Sequence, residues 1–240
     1  MNKTGIRFFQ FLTVVLVSVQ LCSCEKEVVK GTVADFEGNV YKTVKIGTQW
    51  WMAENLKTTR YLNGDQIETT NPANLNSIVG PNQNYQWAYD GSEINAATYG
   101  RLYTWHAVND SRNVCPEGWH VPTDTEWHTL VLYLDNSSSL TLFESTVAGG
   151  KLKEAGTTHW LNSNNGATNE SGFTALPGGF RYNNGSFYNL GVYGIWWSST
   201  ECLTNDGNAV SRALSNTDSS VGRDENCCKA DGYSVRCLKY

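Results

Sequence analysis

The N-terminal segment constrains this chain most, because it decides in which compartment everything after it must fold. Lys3 and Arg7 precede residues 8–19, an apolar run interrupted only by a few polar side chains. The run is too short to span a bilayer, which takes about 20 apolar residues, and is typical of a signal-peptide core. We therefore expect an exported protein that folds where disulfides persist.

The apolar run ends in Leu21-Cys22-Ser23-Cys24, a pattern similar to the bacterial lipobox. We expect cleavage after Ser23 and acylation of Cys24, with the lipid bilayer as the first partner. The alternative is an ordinary secretory signal with two incidental cysteines. The expected organisation is a signal peptide (1–23), a tether (24–34) and one domain (35–240), anchored on the periplasmic or outer face of the bacterial outer membrane.

The composition favours a folded domain and limits its partners. Hydrophobic residues make up 40% and charged residues 17% of the chain, which excludes intrinsic disorder. The net charge is −5, and no basic patch stands out along the sequence. We therefore expect no nucleic-acid partner.

Five cysteines remain after the leader, and export makes disulfides the first interpretation. We expect one bridge between Cys115 and Cys237, and a second from Cys202 to Cys227 or Cys228. A bridge between the adjacent Cys227 and Cys228 is a strained alternative. Because five is odd, at least one thiol is free or pairs between molecules. No C-x2-C pair is present, so we expect no metal site built on cysteine and no cofactor.

Hydrophobic patterning predicts a hairpin first and a helical middle. Residues 40–46 and 49–56 are expected to pair across a turn at Gly47-Thr48, and 60–95 to form a long loop. Helices are expected over 96–108, from a capping box at Thr123 and Glu126, and over 147–155. Strands are expected at 173–176, 191–199, 209–214 and 233–238.

Several motifs resemble the Fibrobacter succinogenes major paralogous domain family. They are VYKTVKIGTQWWMAENL (40–56), YGRLY (99–103), CPEGWHVPT (115–123), GFTALPGG (172–179), WSSTE (197–201) and SVRC (234–237). The helix start at 118–127 and the closing strand are also similar to the formylglycine-generating-enzyme and C-type-lectin-like group. That likeness implies an α+β, C-type-lectin-like fold, with two main helices on small twisted antiparallel sheets and long irregular loops. The bridge from Cys115 to Cys237 would suit such a fold.

Aromatic side chains are the best candidates for ligand binding. Trp50-Trp51 and Trp196-Trp197 are adjacent pairs in predicted strands, so each pair points to opposite faces. We take Trp51 and Trp196 as candidate platforms for a sugar ring or a protein; the alternative is that loops cover these rings as a second core. Asn- and Gly-rich sequence around three tyrosines suggests a recognition loop; these candidates are Tyr182, Tyr188 and Tyr193.

Acidic residues before the last strand are weaker candidates for calcium binding. Asp218, Asp224 and Asp231 lie in a stretch expected to be loop, and hard cations prefer several such oxygens. The alternative is a solvated acidic loop balanced by neighbouring basic side chains.

The motifs of common enzymes are absent from the sequence, including G-x-S-x-G, the P-loop and H-E-x-x-H. We therefore expect a non-catalytic module that binds glycan or protein at the cell envelope. A structural envelope or surface-assembly component is the alternative. An enzyme acting on a polysaccharide or a side chain is the third interpretation.

Overall fold

The computed structural model describes Met1, residues 28–70, Ile78, Gly80 and residues 82–240. The predicted signal peptide beyond Met1, the predicted acylation site Cys24 and the first part of the predicted tether lie outside the described residues. Within them, no helix combines the length and the apolar character needed to cross a membrane.

Thirteen strands and four α-helices make up the described fold. The strands are β1 (Lys30–Ala34), β2 (Val40–Ile46), β3 (Gln49–Met52), β4 (Gln86–Trp87), β5 (Leu102–Tyr103), β6 (Trp119–His120), β7 (Phe143–Ser145), β8 (Gly178–Arg181), β9 (Phe187–Leu190), β10 (Tyr193–Glu201), β11 (Asn208–Ser215), β12 (Val221–Cys228) and β13 (Leu238–Lys239). The helices are α1 (Glu93–Tyr99), α2 (Trp105–Val108), α3 (Asp124–Leu134) and α4 (Ala148–Leu152).

A five-stranded sheet joins the two ends of the described chain, in the order β1-β2-β3-β13-β6. The predicted hairpin is confirmed, with Ile46 opposite Gln49, although its second strand ends at Met52. The last strand enters between β3 and β6, where Leu238 pairs with Trp51 on one side and His120 on the other. The C-terminal residues therefore complete this sheet.

A six-stranded sheet, in the order β7-β12-β11-β10-β8-β9, forms the second layer. β10, β11 and β12 are long antiparallel neighbours, and β8 joins β10 in parallel at Gly194 and Gly179. β4 and β5 form a separate two-stranded ladder. The hairpin of β8 and β9 thus forms one edge of the larger sheet.

Two hydrophobic cores meet at β10, because its successive side chains point to opposite faces. Trp197 belongs to the disulfide core, which includes Tyr41, Tyr103, Cys115 and Cys237. Trp196 belongs to the tryptophan core, whose other large side chains are Trp51, Trp127, Trp160 and Phe173. The predicted Cys115–Cys237 bridge is confirmed and closes a sequence separation of 122 residues.

The predicted α+β, lectin-like architecture with two main helices is wrong. Strands dominate the described residues, and the longest helix, α3, has 11 residues. The helix predicted over 96–108 is broken at Gly100, which has a φ of 80°. A Cβ there would lie 2.6 Å from Cβ of Asn55 and 2.8 Å from the Leu56 carbonyl oxygen. This close approach to the segment that follows β3 overrides the helical pattern.

The capping box is confirmed and begins α3. The Thr123 side chain accepts from the Glu126 backbone N–H at 3.2 Å, and Glu126 Oε2 accepts from the Thr123 N–H at 2.8 Å. Trp127, Leu130 and Val131 then face the tryptophan core. The local signal was sufficient here because the cap and the apolar face agree.

Candidate functional site

The two tryptophans predicted as ligand platforms are buried. Trp51 is 0% exposed and Trp196 is 1% exposed, and both rings lie in the tryptophan core. Trp51 lies 4.7 Å from Trp127 between ring centroids, and the Trp196 indole N–H donates to Asn55 Oδ1 at 2.9 Å. The assignment of Trp51 and Trp196 to a binding surface is therefore wrong. The alternative, rings covered as a second core, is confirmed for Trp196 and its neighbour Trp197.

The three predicted tyrosines are exposed and share one face of the larger sheet. Tyr182, Tyr188 and Tyr193 are 45%, 43% and 37% exposed. Tyr188 on β9 lies opposite Phe180 on β8, and Tyr182 follows Phe180 by two residues, which keeps it on the same face. Tyr193 stands two residues before Ile195 on β10, and Phe180 and Ile195 both pack against the disulfide core. We call the set of five side chains the tyrosine face: Phe180, Tyr182, Tyr188, Tyr193 and Ile195.

Aromatic and polar neighbours hold Tyr188 in place on this face. The ring centroids of Phe180 and Tyr188 are 5.7 Å apart, and those of Phe180 and Tyr233 are 6.1 Å apart. The Asn184 and Ser186 side chains hydrogen-bond to the Tyr188 phenol and hold its pKa below its usual value. The face therefore combines flat aromatic surface with amide and hydroxyl groups, as sugar- and protein-binding surfaces do.

A buried aspartate fixes the hairpin that carries the tyrosine face. Asp231 Oδ1 accepts from the Asn183 backbone N–H at 2.8 Å, and Asp231 Oδ2 accepts from the Tyr233 hydroxyl at 3.1 Å. Burial raises the pKa of Asp231 to about 6. Behind the hairpin, the guanidinium of Arg181 lies 4.1 Å from the centre of the Trp87 ring. Asp231 thus has a structural role at the turn.

The other aspartates proposed for calcium do not converge with Asp231. The stretch expected to be an acidic loop is largely strand β12, which contains Asp224. Asp224 accepts from the Asn226 N–H at 2.8 Å, and Asp218 accepts from the Ser220 N–H at 2.8 Å in an exposed turn. Among the described residues, no three His, Cys, Asp or Glu side chains gather as metal ligands would.

The predicted second disulfide is absent from the described residues, where Cys202, Cys227 and Cys228 are free thiols. Cys227 is buried beside the Ser211 hydroxyl, 3.1 Å from its sulfur. Burial raises the pKa of the Cys227 thiol to about 12, so it is a weak nucleophile. Cys228 is half-buried and is the most accessible of the three.

A buried ion cluster joins α3 to the larger sheet. Glu144 is fully buried, and its two oxygens lie 2.5 Å from Arg212 Nε and 2.5 Å from His128 Nδ1. Arg212 also pairs with Asp124 at 2.7 Å, and Arg223 binds the same carboxylate at 2.8 Å. Every charge in this cluster has an opposite partner, as buried charges require, so removal of one partner would leave an uncompensated charge at the junction.

Two grooves, which the sequence did not predict, meet at Val28, where the described domain begins. The first has a volume of about 400 Å³, and its lining includes Asn55 and Thr174. Thr174 has a φ of 55°, a strained conformation for a β-branched residue. Arg236 is buried beneath and donates to the Thr174 carbonyl at 2.8 Å and to Asn55 Oδ1 at 2.8 Å. The second groove, of about 750 Å³, shares Val28 with the first and also includes Tyr133.

The fold and these surfaces define a mostly β domain with a double core, an aromatic edge and a grooved N-terminal side. The chain belongs to the Fibrobacter succinogenes major domain family, whose model matches residues 44–239. The matched range contains the tryptophan core, the disulfide, the tyrosine face and all of the buried disulfide core except Tyr41. Comparison with curated proteins and with solved structures gives no match.

Proposed function

We propose that this chain is a lipid-anchored protein of the bacterial envelope or cell surface that binds glycan, without catalysis, through the tyrosine face. The observation that carries the proposal is the placement of Tyr182, Tyr188 and Tyr193 on one face at a sheet edge. The leader and Cys24 support an anchor outside the cytoplasm. The apolar face of a sugar stacks on exposed aromatic rings, while its hydroxyls need polar partners such as those beside Tyr188.

The geometry favours a glycan over a deep-pocket ligand. Tyr182 directly follows β8, Tyr188 lies on the adjacent strand β9 and Tyr193 begins β10, and strands in a sheet are spaced by about 4.8 Å. The rings therefore form an open, shallow surface that extends over roughly two strand spacings. Such a surface suits an extended oligosaccharide that contacts more than one ring.

The test is a glycan array probed with the oxidised mature protein, followed by calorimetric titration of each hit. We expect saturable binding that weakens about tenfold or more in Tyr188→Ala, as loss of a central aromatic contact does. Tyr240→Ala is the matched control, because Tyr240 is also exposed but lies at the end of the chain, stacked on His120. Tyr188→Ala must leave the free energy of unfolding within about 0.5 kcal/mol of wild type.

Equal affinity of Tyr188→Ala and wild type would exclude the tyrosine face as the binding surface. A silent array would exclude glycan binding under the conditions tested. Capture of a surface protein that also depends on Tyr188 would then identify a protein ligand for the same face.

A structural envelope component is the second candidate, and the half-buried thiol of Cys228 favours it. An intermolecular disulfide through Cys228 would give a dimer on non-reducing electrophoresis of intact envelopes. The Cys228→Ser variant would remove that dimer. A strictly monomeric protein with three titratable thiols would exclude this mode of assembly.

A further inference from the structure

Accessible lysines are concentrated around Val28, along the β1 edge of the five-stranded sheet, with Lys30 and Lys42 on one face of that edge and Lys45 on the other. Residues 28–240 contain eight lysines, of which Lys153 and Lys229 are buried. Five of the remaining six line the two grooves that meet at Val28: Lys30, Lys42 and Lys57 in the first, Lys45 and Lys151 in the second. We call these five the lysine face; the sixth, Lys239, lies on β13.

The arginines do not repeat this distribution. Arg181, Arg212 and Arg236 are buried, and the other four arginines of residues 28–240 pair with carboxylates at distances from 2.5 to 3.9 Å: Arg60, Arg101, Arg112 and Arg223. The lysine face is therefore the principal concentration of accessible positive charge in the described chain.

Carboxylates within the grooves reduce this charge without cancelling it. The linings include Glu54, Glu154 and Glu170, three against five lysines. Glu154 lies 2.9 Å from His159, and Glu170 pairs with Lys151 at 3.2 Å. A local positive surplus thus remains, although the net charge is −5 for the full chain and −7 once Lys3 and Arg7 are removed with the predicted leader. Such local surplus binds anionic surfaces even when the whole protein is acidic.

The path of the chain places the lysine face next to the proposed anchor. The Val29 carbonyl accepts from the Lys45 N–H at 2.9 Å, so the chain joins the domain at this point. Cys24 precedes Val28 by four residues, which span at most about 14 Å when fully extended. Acyl chains on Cys24 would therefore hold the rim of both grooves within that distance of the membrane surface.

We propose that the lysine face docks on the phosphate headgroups of the membrane that holds the acylated Cys24. The inference rests on the lipid anchor in the proposed function, and it assigns the membrane-facing side of the domain. Lysine ammonium groups are attracted to anionic headgroups over a distance set by ionic screening. Tyr133, half exposed at the second groove, adds an amphipathic ring of the kind that favours membrane interfaces.

The experiment is lysine footprinting by acetylation and mass spectrometry. The lipidated protein is compared in phosphatidylcholine vesicles, in vesicles that also contain phosphatidylglycerol, and with a soluble Cys24→Ser protein. We expect several-fold slower acetylation of Lys30, Lys42 and Lys45 on vesicles than in the soluble protein, with stronger protection on the anionic vesicles. Lys239 must be acetylated at the same rate in all three samples.

Charge reversal separates docking from simple proximity to the bilayer. The double variant Lys42→Glu/Lys45→Glu changes two exposed side chains and is expected to remove most of the protection of Lys30. Lys239→Glu is the matched control and must leave that protection unchanged. Protection of Lys30 that survives the double variant would overturn docking through lysine charge.

The mass of the N-terminal peptide distinguishes failure of this inference from failure of the anchor. An acylated Cys24 with unprotected lysines would overturn the docking surface and leave the anchor intact. An unmodified Cys24 would overturn both. Protection of Lys239 instead of the lysine face would assign the opposite orientation and refute the proposal.

Discussion

The two cores on either side of β10 are held together differently. The disulfide core contains the covalent link between Cys115 and Cys237, with tyrosines such as Tyr41 and Tyr103 around it. The tryptophan core contains no cysteine and depends on packed rings: Trp127 lies 6.4 Å from Trp196 and 5.9 Å from Phe173 between centroids. One core thus restricts the unfolded chain, and the other gains its stability from contacts in the folded state.

The burial of aromatic side chains also differs between the middle of the larger sheet and its β8–β9 edge. β10 is covered on both faces, so neither Trp196 nor Trp197 can contact a ligand. The cover thins towards β8 and β9, where Phe180 is half-buried and Tyr188 is exposed. The rings at Trp196 and Trp197 therefore serve stability, whereas exposed rings lie at the start of β10 and along the β8–β9 hairpin at the sheet edge.

Removal of the disulfide gives the largest expected effect. Cys115→Ala/Cys237→Ala should lower the free energy of unfolding by about 4–5 kcal/mol, because the bridge closes a separation of 122 residues. Urea unfolding of the variant and of wild type measures the difference. Cys202→Ala, which removes a free thiol, is the control. A loss below about 1 kcal/mol would show that packing alone holds the disulfide core.

Truncation of a central ring tests the tryptophan core. Trp196→Ala should cost about 3–5 kcal/mol, since it opens a cavity beside Trp127 and Phe173 and leaves Asn55 without its indole donor. Trp50→Ala is the matched comparison for Trp196→Ala, because Trp50 also lies on a strand but is only half-buried. Equal losses of unfolding free energy, measured by urea unfolding, would show that the contribution of Trp196 and Trp50 to stability does not depend on their burial.

A smaller, pH-dependent effect is expected from Asp231, which supports the hairpin beside the disulfide core. Its folded-state pKa of about 6 lies above the ordinary 3.8 because of burial, so the folded state binds more protons between these values. The free energy of unfolding should therefore fall as pH rises from about 4 to about 6, by about 1–3 kcal/mol from this group.

Asp231→Asn removes the titrating group and should remove that part of the pH dependence. Urea unfolding across the window, with wild type measured in parallel, gives the difference. Asp206→Asn, which alters an exposed side chain in a turn, is the control. A wild-type slope that persists in Asp231→Asn would assign the dependence to other carboxylates.

Local signals predicted the elements whose neighbours in sequence are also their neighbours in space. The turn at Gly47 and the capping box at Thr123 are of this kind, and both are confirmed. The helix predicted over 96–108 is wrong because Gly100 approaches Asn55, which lies far away in sequence, in the segment that follows β3. The loop predicted before the last strand failed because β12 pairs with β11 in the interior of a sheet.

The surfaces divide in the same way. The tyrosines at 182–193 fall in one stretch, so composition alone identified them. The lysine face was missed because Lys30, Lys45 and Lys151 come together only after the sheet and α4 have formed. The burial of Trp51 and Trp196 could not be predicted from the sequence. The alternation of side chains along a strand places adjacent tryptophans on opposite faces, but it does not show whether both faces of the sheet are covered.

The position of β13 has a consequence for the order in which the chain becomes available to fold. The final residues supply the strand between β3 and β6 and the second half of the disulfide. A polypeptide delivered N-terminus first therefore has to wait for its last few residues before the sheet begun at Lys30 can close. During that interval the aromatic side chains of both cores are exposed, so the risk of aggregation increases with the time the chain takes to emerge.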